Sequence, residues 1–134
     1  CIRKVIAYSD GASIGNPGDA GCGALLTDAQ GDELLEESRY IGKATNNVAE
    51  YCALLAALNL AKKKGWSRLR VRSDSQLLVR QIEGIYKVKN EGLKPLHAQA
   101  LRSFARFDAW TIRHVPRAEN AVADALANEA LSSL

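Results

Sequence analysis

Four carboxylic acids stand where chemistry is possible. Asp10 closes the apolar run Val5-Ile6-Ala7-Tyr8, Asp74 follows the run Arg68 to Arg72, Glu50 lies inside an apolar helical pattern, and Asp124 lies inside an Ala-rich one. Asp10 or Asp74 alone reads as a turn or helix-cap residue. Glu50, among Ala49, Tyr51, Cys52 and Ala53, is different, because an unpaired buried carboxylate is costly or shifts its pKa. Asp124, flanked by Val122, Ala123, Ala125 and Leu126, has a similar setting. No Lys or Arg falls within either apolar stretch, so a divalent cation is the better compensating partner. An all-carboxylate set suits a hard ion such as Mg2+ or Mn2+, whereas His and Cys clusters suggest zinc. Carboxylate-held metal pairs about 4 Å apart are a recurring device for in-line attack on phosphodiesters.

Other chemistries fit less well. Gly11, Gly15 and Gly18 miss the dinucleotide-binding spacing, no Gly-Lys-Ser/Thr follows, and the next element is a strand. Ser9, Ser13 and Ser73 come with no evident base. His97 sits in a helical pattern as a structural residue. His114 ends the last strand, ten positions before Asp124, where a solvated loop histidine and a functional one are equally open.

The elements that must position these acids follow from periodicity. Val5 to Tyr8 is too short and apolar for anything but a buried strand, which should stop at Asp10 and break into a glycine-rich turn. Gly21 to Thr27 and Leu34 to Ile41 read as two further strands, joined by connections short enough for an antiparallel meander. Val48 to Lys64, capped by Thr45 or Asn46 and stopped by Gly65, reads as a central buried helix. A strand over Arg68 to Arg72 precedes a helix over Leu77 to Ile82, and a loop leads to a helix from Leu93 to Phe107 with Pro95 in its first turn. Ala109 to Val115 is the last strand, and Glu119 to Leu131 the last helix. The whole is an α/β domain with a five-stranded mixed sheet, the late strands parallel to the first and helices flanking them.

Composition narrows the class. A chain of 134 residues fits one domain, 1–134. Its 47% hydrophobic and 25% charged residues are ordinary globular values. The longest apolar stretch, Tyr51 to Leu58, falls well below the roughly 18 residues of a membrane-spanning helix. No signal-peptide pattern opens the chain, so a cytoplasmic protein is expected. Cys1, Cys22 and Cys52 have no paired spacing and read as reduced, buried fillers. A chain with no Met that begins at Cys1 reads as one lacking its true start or as a piece of a longer protein. Net charge is only +3, yet residues 80 to 117 hold eight Lys or Arg against three Asp or Glu. A basic half beside an acidic site suits a nucleic-acid enzyme, although a solvated helix face explains the charge equally well.

Four segments then resemble, in order, the motifs of type 1 ribonuclease H. They are Tyr8-Ser9-Asp10-Gly11-Ala12-Ser13-Ile14-Gly15-Asn16-Pro17-Gly18, Thr45-Asn46-Asn47-Val48-Ala49-Glu50, Ser73-Asp74-Ser75-Gln76, and His114 with Glu119-Asn120-Ala121-Val122-Ala123-Asp124. The resemblance implies the ribonuclease H-like fold and a monomeric endonuclease that hydrolyses the RNA strand of RNA/DNA hybrids with two Mg2+ ions, leaving 5′-phosphate and 3′-hydroxyl ends. Mn2+ is the expected substitute. It further implies that Asp10 bridges both ions, that Glu50 and Asp74 hold the ion near the leaving oxygen, and that Asp124 holds the one activating water. His114 matches a histidine of proton transfer or product release. Asn16, Asn46, Asn47 and Gln76 match contacts to the hybrid, and Thr45 a contact to a DNA phosphate. Where some members insert a long basic protrusion, this chain passes quickly through Gly84 to Asn90. Tyr86, Lys87, Lys89 and Asn90 remain to line a DNA-strand channel, with fewer phosphate contacts. The alternatives are a catalytically silent nucleic-acid-binding module and a DNA-acting integrase or resolvase-like nuclease of the same fold.

Overall fold

The computed structural model describes residues 4–132. Its elements run β1 (Lys4–Ile14), β2 (Gly18–Thr27), β3 (Glu33–Ala44), α1 (Asn46–Lys63), β4 (Arg68–Ser73), α2 (Gln76–Ile82), α3 (Lys94–Phe104), β5 (Ala109–His114), a 3-10 turn (Arg117–Asn120) and α4 (Ala121–Ser132). The five strands form one sheet in the order β3-β2-β1-β4-β5. β1, β2 and β3 make the expected antiparallel meander, and β4 and β5 join parallel to β1.

One strand departs from the sequence expectation in a way that matters. β1 does not stop at Asp10 but runs to Ile14, because β2 pairs with it as far as Ile14↔Asp19 and supplies partners for the whole glycine-containing stretch. Asp10 therefore sits inside a strand, and the turn is confined to the residues between Ile14 and Gly18. The last helix is also shorter than expected, since Arg117–Asn120 winds as a 3-10 turn before α4 begins.

Helices cover both sheet faces. α1 is the central helix, buried along Ala49, Tyr51, Ala53 to Leu58 and Ala61. It starts where Thr45 Oγ1 accepts from Val48 N at 3.2 Å, a side-chain cap for an otherwise unpaired donor. Val5, Ala7, Leu69 and Val71 of the sheet share one core with α1, α2 and α3. Tyr51, 1% exposed, satisfies its hydroxyl on Gln81 Oε1 at 2.6 Å. α4 packs on the other face, over β1, β2 and β3. Of the cysteines, Cys22 is buried and Cys52 only half-buried, while Cys1 lies outside the described residues.

Gly23 sets how closely α4 approaches. A methyl group there would lie 2.7 Å from both the Ala127 nitrogen and Leu126 Cβ, so any side chain pushes helix from sheet. Gly23→Ala is expected to lower unfolding free energy by about 1–3 kcal/mol, as overpacking does. Urea denaturation checks it; an unchanged midpoint contradicts the packing argument.

Candidate active site

The sheet brings two acids side by side. β1 and β4 pair in register up to Ser9↔Ser73, and the next residue on each chain is Asp10 and Asp74. β4 ends there while β1 continues on β2, leaving a notch at the sheet's edge. Glu50 enters from α1, whose second turn touches the strand because Gly11 has no side chain: a methyl at Gly11 would collide with the Ala49 carbonyl and the Glu50 nitrogen. The Gly11 N–H donates to Glu50 Oε1 at 2.6 Å, so the glycine both admits the helix and orients its acid. Asp124 comes from the first turn of α4, where Asn128 Nδ2 reaches its Oδ1 at 3.3 Å.

Asp10, Glu50 and Asp74 each place a carboxylate oxygen within 4.8 Å of the others. Asp124 lines the same open cleft of about 520 Å³, together with Ser13, Asn46, Arg117 and Asn128. Arg117 Nε, 3.7 Å from Asp74 Oδ2, is the cation that approaches these acids among the described residues, and its side chain is 87% exposed. A solvent-facing guanidinium at that distance offsets little of the repulsion. Burial first, then the Glu50 charge and hydrogen bonds shared with Asp124 and Glu50, push the Asp10 carboxyl up from 3.8 to about 10. Burial also raises Glu50 from 4.5 to about 7, against the lowering effects of its hydrogen bonds to Asp10 and Gly11 N–H. The cluster thus concentrates carboxylates whose crowding and burial push Asp10 toward its protonated form.

A family model described as reverse transcriptase-like matches residues 8–130. Ribonuclease HI of Halobacterium salinarum is 47% identical over 128 residues, 96% of this chain. The ribonuclease H of Dinoroseobacter shibae is 33% identical, with 98% of this chain and 93% of that protein aligned. The chain belongs to the ribonuclease H family. Its ribonuclease H fold superimposes on the crystal structure of RNase H1 from Halobacterium salinarum with a TM-score of 0.96 at 46% identity, covering 98% of this chain and 99% of that one. LC11-RNase H1, solved in complex with RNA/DNA hybrid, gives a TM-score of 0.92 at 44% identity, covering 96% and 97% of the two chains. The chain spans 64% of the length of the Halobacterium relative, and 36% of a bifunctional protein of Mycobacterium tuberculosis that is 45% identical over 97% of this chain.

The remaining residues of interest divide into those the fold gathers and those it leaves apart. Asn46 lines the cleft; its Oδ1 accepts from Ser13 N at 3.1 Å, and its own N–H donates to Asn16 Oδ1 at 2.9 Å. The two amide oxygens thus tie the β1–β2 turn to the start of α1, and each side chain keeps its N–H donors to offer elsewhere. Thr45 serves as the helix cap, and Asn47 and Gln76 are exposed near the starts of α1 and α2. His114 is exposed at the end of β5, beside Ser73 in register, and does not line the acidic cleft. Tyr86, Lys87 and Lys89 are exposed and do not line it, while Asn90 Oδ1 accepts from Gly92 N at 2.7 Å and shapes the turn before α3. Asp124 is half-buried rather than enclosed, because Val122 and Ala125 face solvent and the apolar flank in sequence is a helix with one wet side. Arg117 and Asn128 escaped the sequence reading, in which Ser13 figured only as a serine without a base. Asn128 had a signal in its four-residue spacing from Asp124, and Arg117 had none. Asn120 also escaped: 1% exposed, it donates from Nδ2 to the Ser9 carbonyl at 2.9 Å and ties the 3-10 turn to β1 beside Asp10.

The raised pKa of Asp10 sets a pH dependence. Between about 4 and about 10 the folded state keeps a proton that the unfolded chain releases, so stability falls as pH rises through that window. In metal-chelating buffer, Asp10→Asn is expected to flatten this fall and to be more stable than the parent on its alkaline side. Urea titrations at several pH values check it, and a variant less stable than the parent throughout contradicts it.

Proposed function

We propose that this chain hydrolyses the RNA strand of RNA/DNA hybrids, leaving 5′-phosphate and 3′-hydroxyl ends. The observation that carries the reading is the uncompensated acid cluster: three carboxylates within 4.8 Å, one with its pKa pushed up to about 10, at the floor of an open polar cleft. Support for the substrate comes from LC11-RNase H1, a relative at 44% identity solved with a hybrid bound. An all-oxygen donor set with surplus negative charge fits hard divalent ions.

Asp10, Glu50, Asp74 and Asp124 are the residues that would hold two Mg2+ ions, with Mn2+ as a substitute. When bound, such ions lower the pKa of an attacking water and neutralise the departing oxygen. The protein's own part is placement. Asp10, central to the cluster, is the proposed shared ligand; Glu50, oriented by Gly11 N–H, and Asp74 flank it on the leaving-group side, and Asp124 serves the water side. His114 is proposed to assist proton transfer or product release from the rim. The free N–H donors of Asn16 and Asn46, with Asn47 and Gln76, suit a minor groove read by shape and 2′-hydroxyls. Thr45 would meet a DNA phosphate, and Tyr86, Lys87, Lys89 and Asn90 the continuing DNA strand. Residues 1–134 are taken as one ribonuclease H domain acting as a cytoplasmic monomer, since a single chain supplies all four acids. Among the described residues no helix is long and apolar enough to cross a membrane.

Incubating the protein with hybrid, double-stranded RNA and double-stranded DNA, with Mg2+ or with chelator, tests this. Hybrid alone should be cut, only with Mg2+, and Asp10→Asn should slow cutting about a thousandfold or more. Binding without cleavage would indicate a silent module, and cleavage of DNA a nuclease of the integrase or resolvase kind.

A further inference from the structure

β4 carries a second surface. Its alternation sends Leu69 and Val71 into the core and Arg68, Arg70 and Arg72 to the opposite face. The parallel registers add Lys4 beside Arg68, Thr111 beside Arg70, and Tyr8 and Arg113 beside Arg72. α4 covers this face only over β1, β2 and β3, so Arg68, Arg70, Thr111 and Arg113 stand in solvent. Among the described residues none of the five cations has a carboxylate within 4.0 Å. Five positive charges thus gather on three neighbouring strands, four of them on β4 and β5, in a chain whose net charge is +3. Arg72 and Arg113 are direct cross-strand neighbours, an arrangement that destabilises a sheet unless an anion lies between them.

We propose that the open face of β4 and β5 is a second nucleic-acid contact surface, which holds one sugar-phosphate backbone outside the acidic cleft. It rests on the hybrid-cleavage reading only for the choice of nucleic acid as the polyanion. Guanidinium forks match phosphate oxygens in pairs, and the three arginines of β4 repeat about every 6.6 Å along a straight strand. Arg72 is already held, donating from Nη1 to the Tyr8 hydroxyl at 3.0 Å and lying 5.7 Å from the Tyr8 ring centre. The charged ribbon is two strands wide, about 5 Å between them, which suits one backbone better than a duplex. With Tyr8 lying under Arg72, the ribbon presents charge rather than a stacking platform, so contact is to phosphate and indifferent to sequence. Its two shallow grooves, one with Lys4, Arg68 and Trp110, the other with Arg72 and Arg113, share no residue with the acidic cleft. Such a surface supplies grip that the short Gly84 to Asn90 connection does not.

The test is a salt titration of binding to a fluorescent single-stranded oligonucleotide, DNA and RNA in separate arms and a duplex in a third, with chelator present to prevent cleavage. The triple variant R68Q/R70Q/R113Q removes exposed side chains only, and Thr111→Glu separately places a negative charge among arginines left intact. The triple variant should flatten the plot of log affinity against log salt by about 2, the loss of about three contacts at about 0.7 each. Thr111→Glu should weaken binding about fivefold or more, and both should weaken single strands more than duplex. Hybrid cleavage by either variant on a short blunt substrate should match the parent. An unchanged slope and affinity in both variants overturns the proposal, as does a loss seen only toward polyglutamate, which would assign the face to an acidic protein. If the parent fails to cleave hybrid yet binds single strands through these arginines, the cleft reading falls and this surface stands.

Discussion

Mutual repulsion among Asp10, Glu50 and Asp74 is the constraint around which this domain is built. Like charges at such separations do not gather unless something stronger holds the backbone beneath them. Here that hold is distributed: a ladder from Lys4 to Ser9 fixes β1 against β4, and a helix buried along one flank carries Glu50. A second helix brings Asp124 across two glycines of β2. Each acid comes from a different element, so no local rearrangement relieves the crowding, which together with burial pushes the Asp10 carboxyl up.

The cost of the cluster explains details that are otherwise arbitrary. Gly11 is where α1 must touch β1, and its N–H becomes a donor aimed at Glu50. Asn120, fully buried, anchors the chain just before α4 to the Ser9 carbonyl, so the turn that precedes Asp124 is fixed to the strand that carries Asp10. Among the described residues its Oδ1 has no hydrogen-bond partner. Stability is given up locally to keep four acids in one place, as is common where a protein's local rules break at a functional site.

Much of this was legible in sequence. The four acids, the order of elements and the parallel placement of β4 and β5 follow from apolar periodicity and from a carboxylate among residues that must be buried. What periodicity could not show was pairing: Asp10 looked like the end of a strand because Gly11 looked like a breaker, and only the β2 partner makes the strand continue. Asp124 looked enclosed because one-dimensional neighbours of a helix residue are not its spatial neighbours. Arg117 gave no sign at all, since its approach to Asp74 depends on where β5 ends. The arginines of β4 were visible as alternation, but not the fact that α4 stops short of them.

The central proposal is that a divalent cation binds at Asp10 in exchange for a proton. Calorimetric titration of Mg2+ near pH 8, in two buffers of different ionisation heat, counts the protons released on binding. Because the Asp10 carboxyl is held up at about 10, binding should release about one proton from the parent protein and none from Asp10→Asn. Binding without proton release, or equal release from both proteins, would contradict the account.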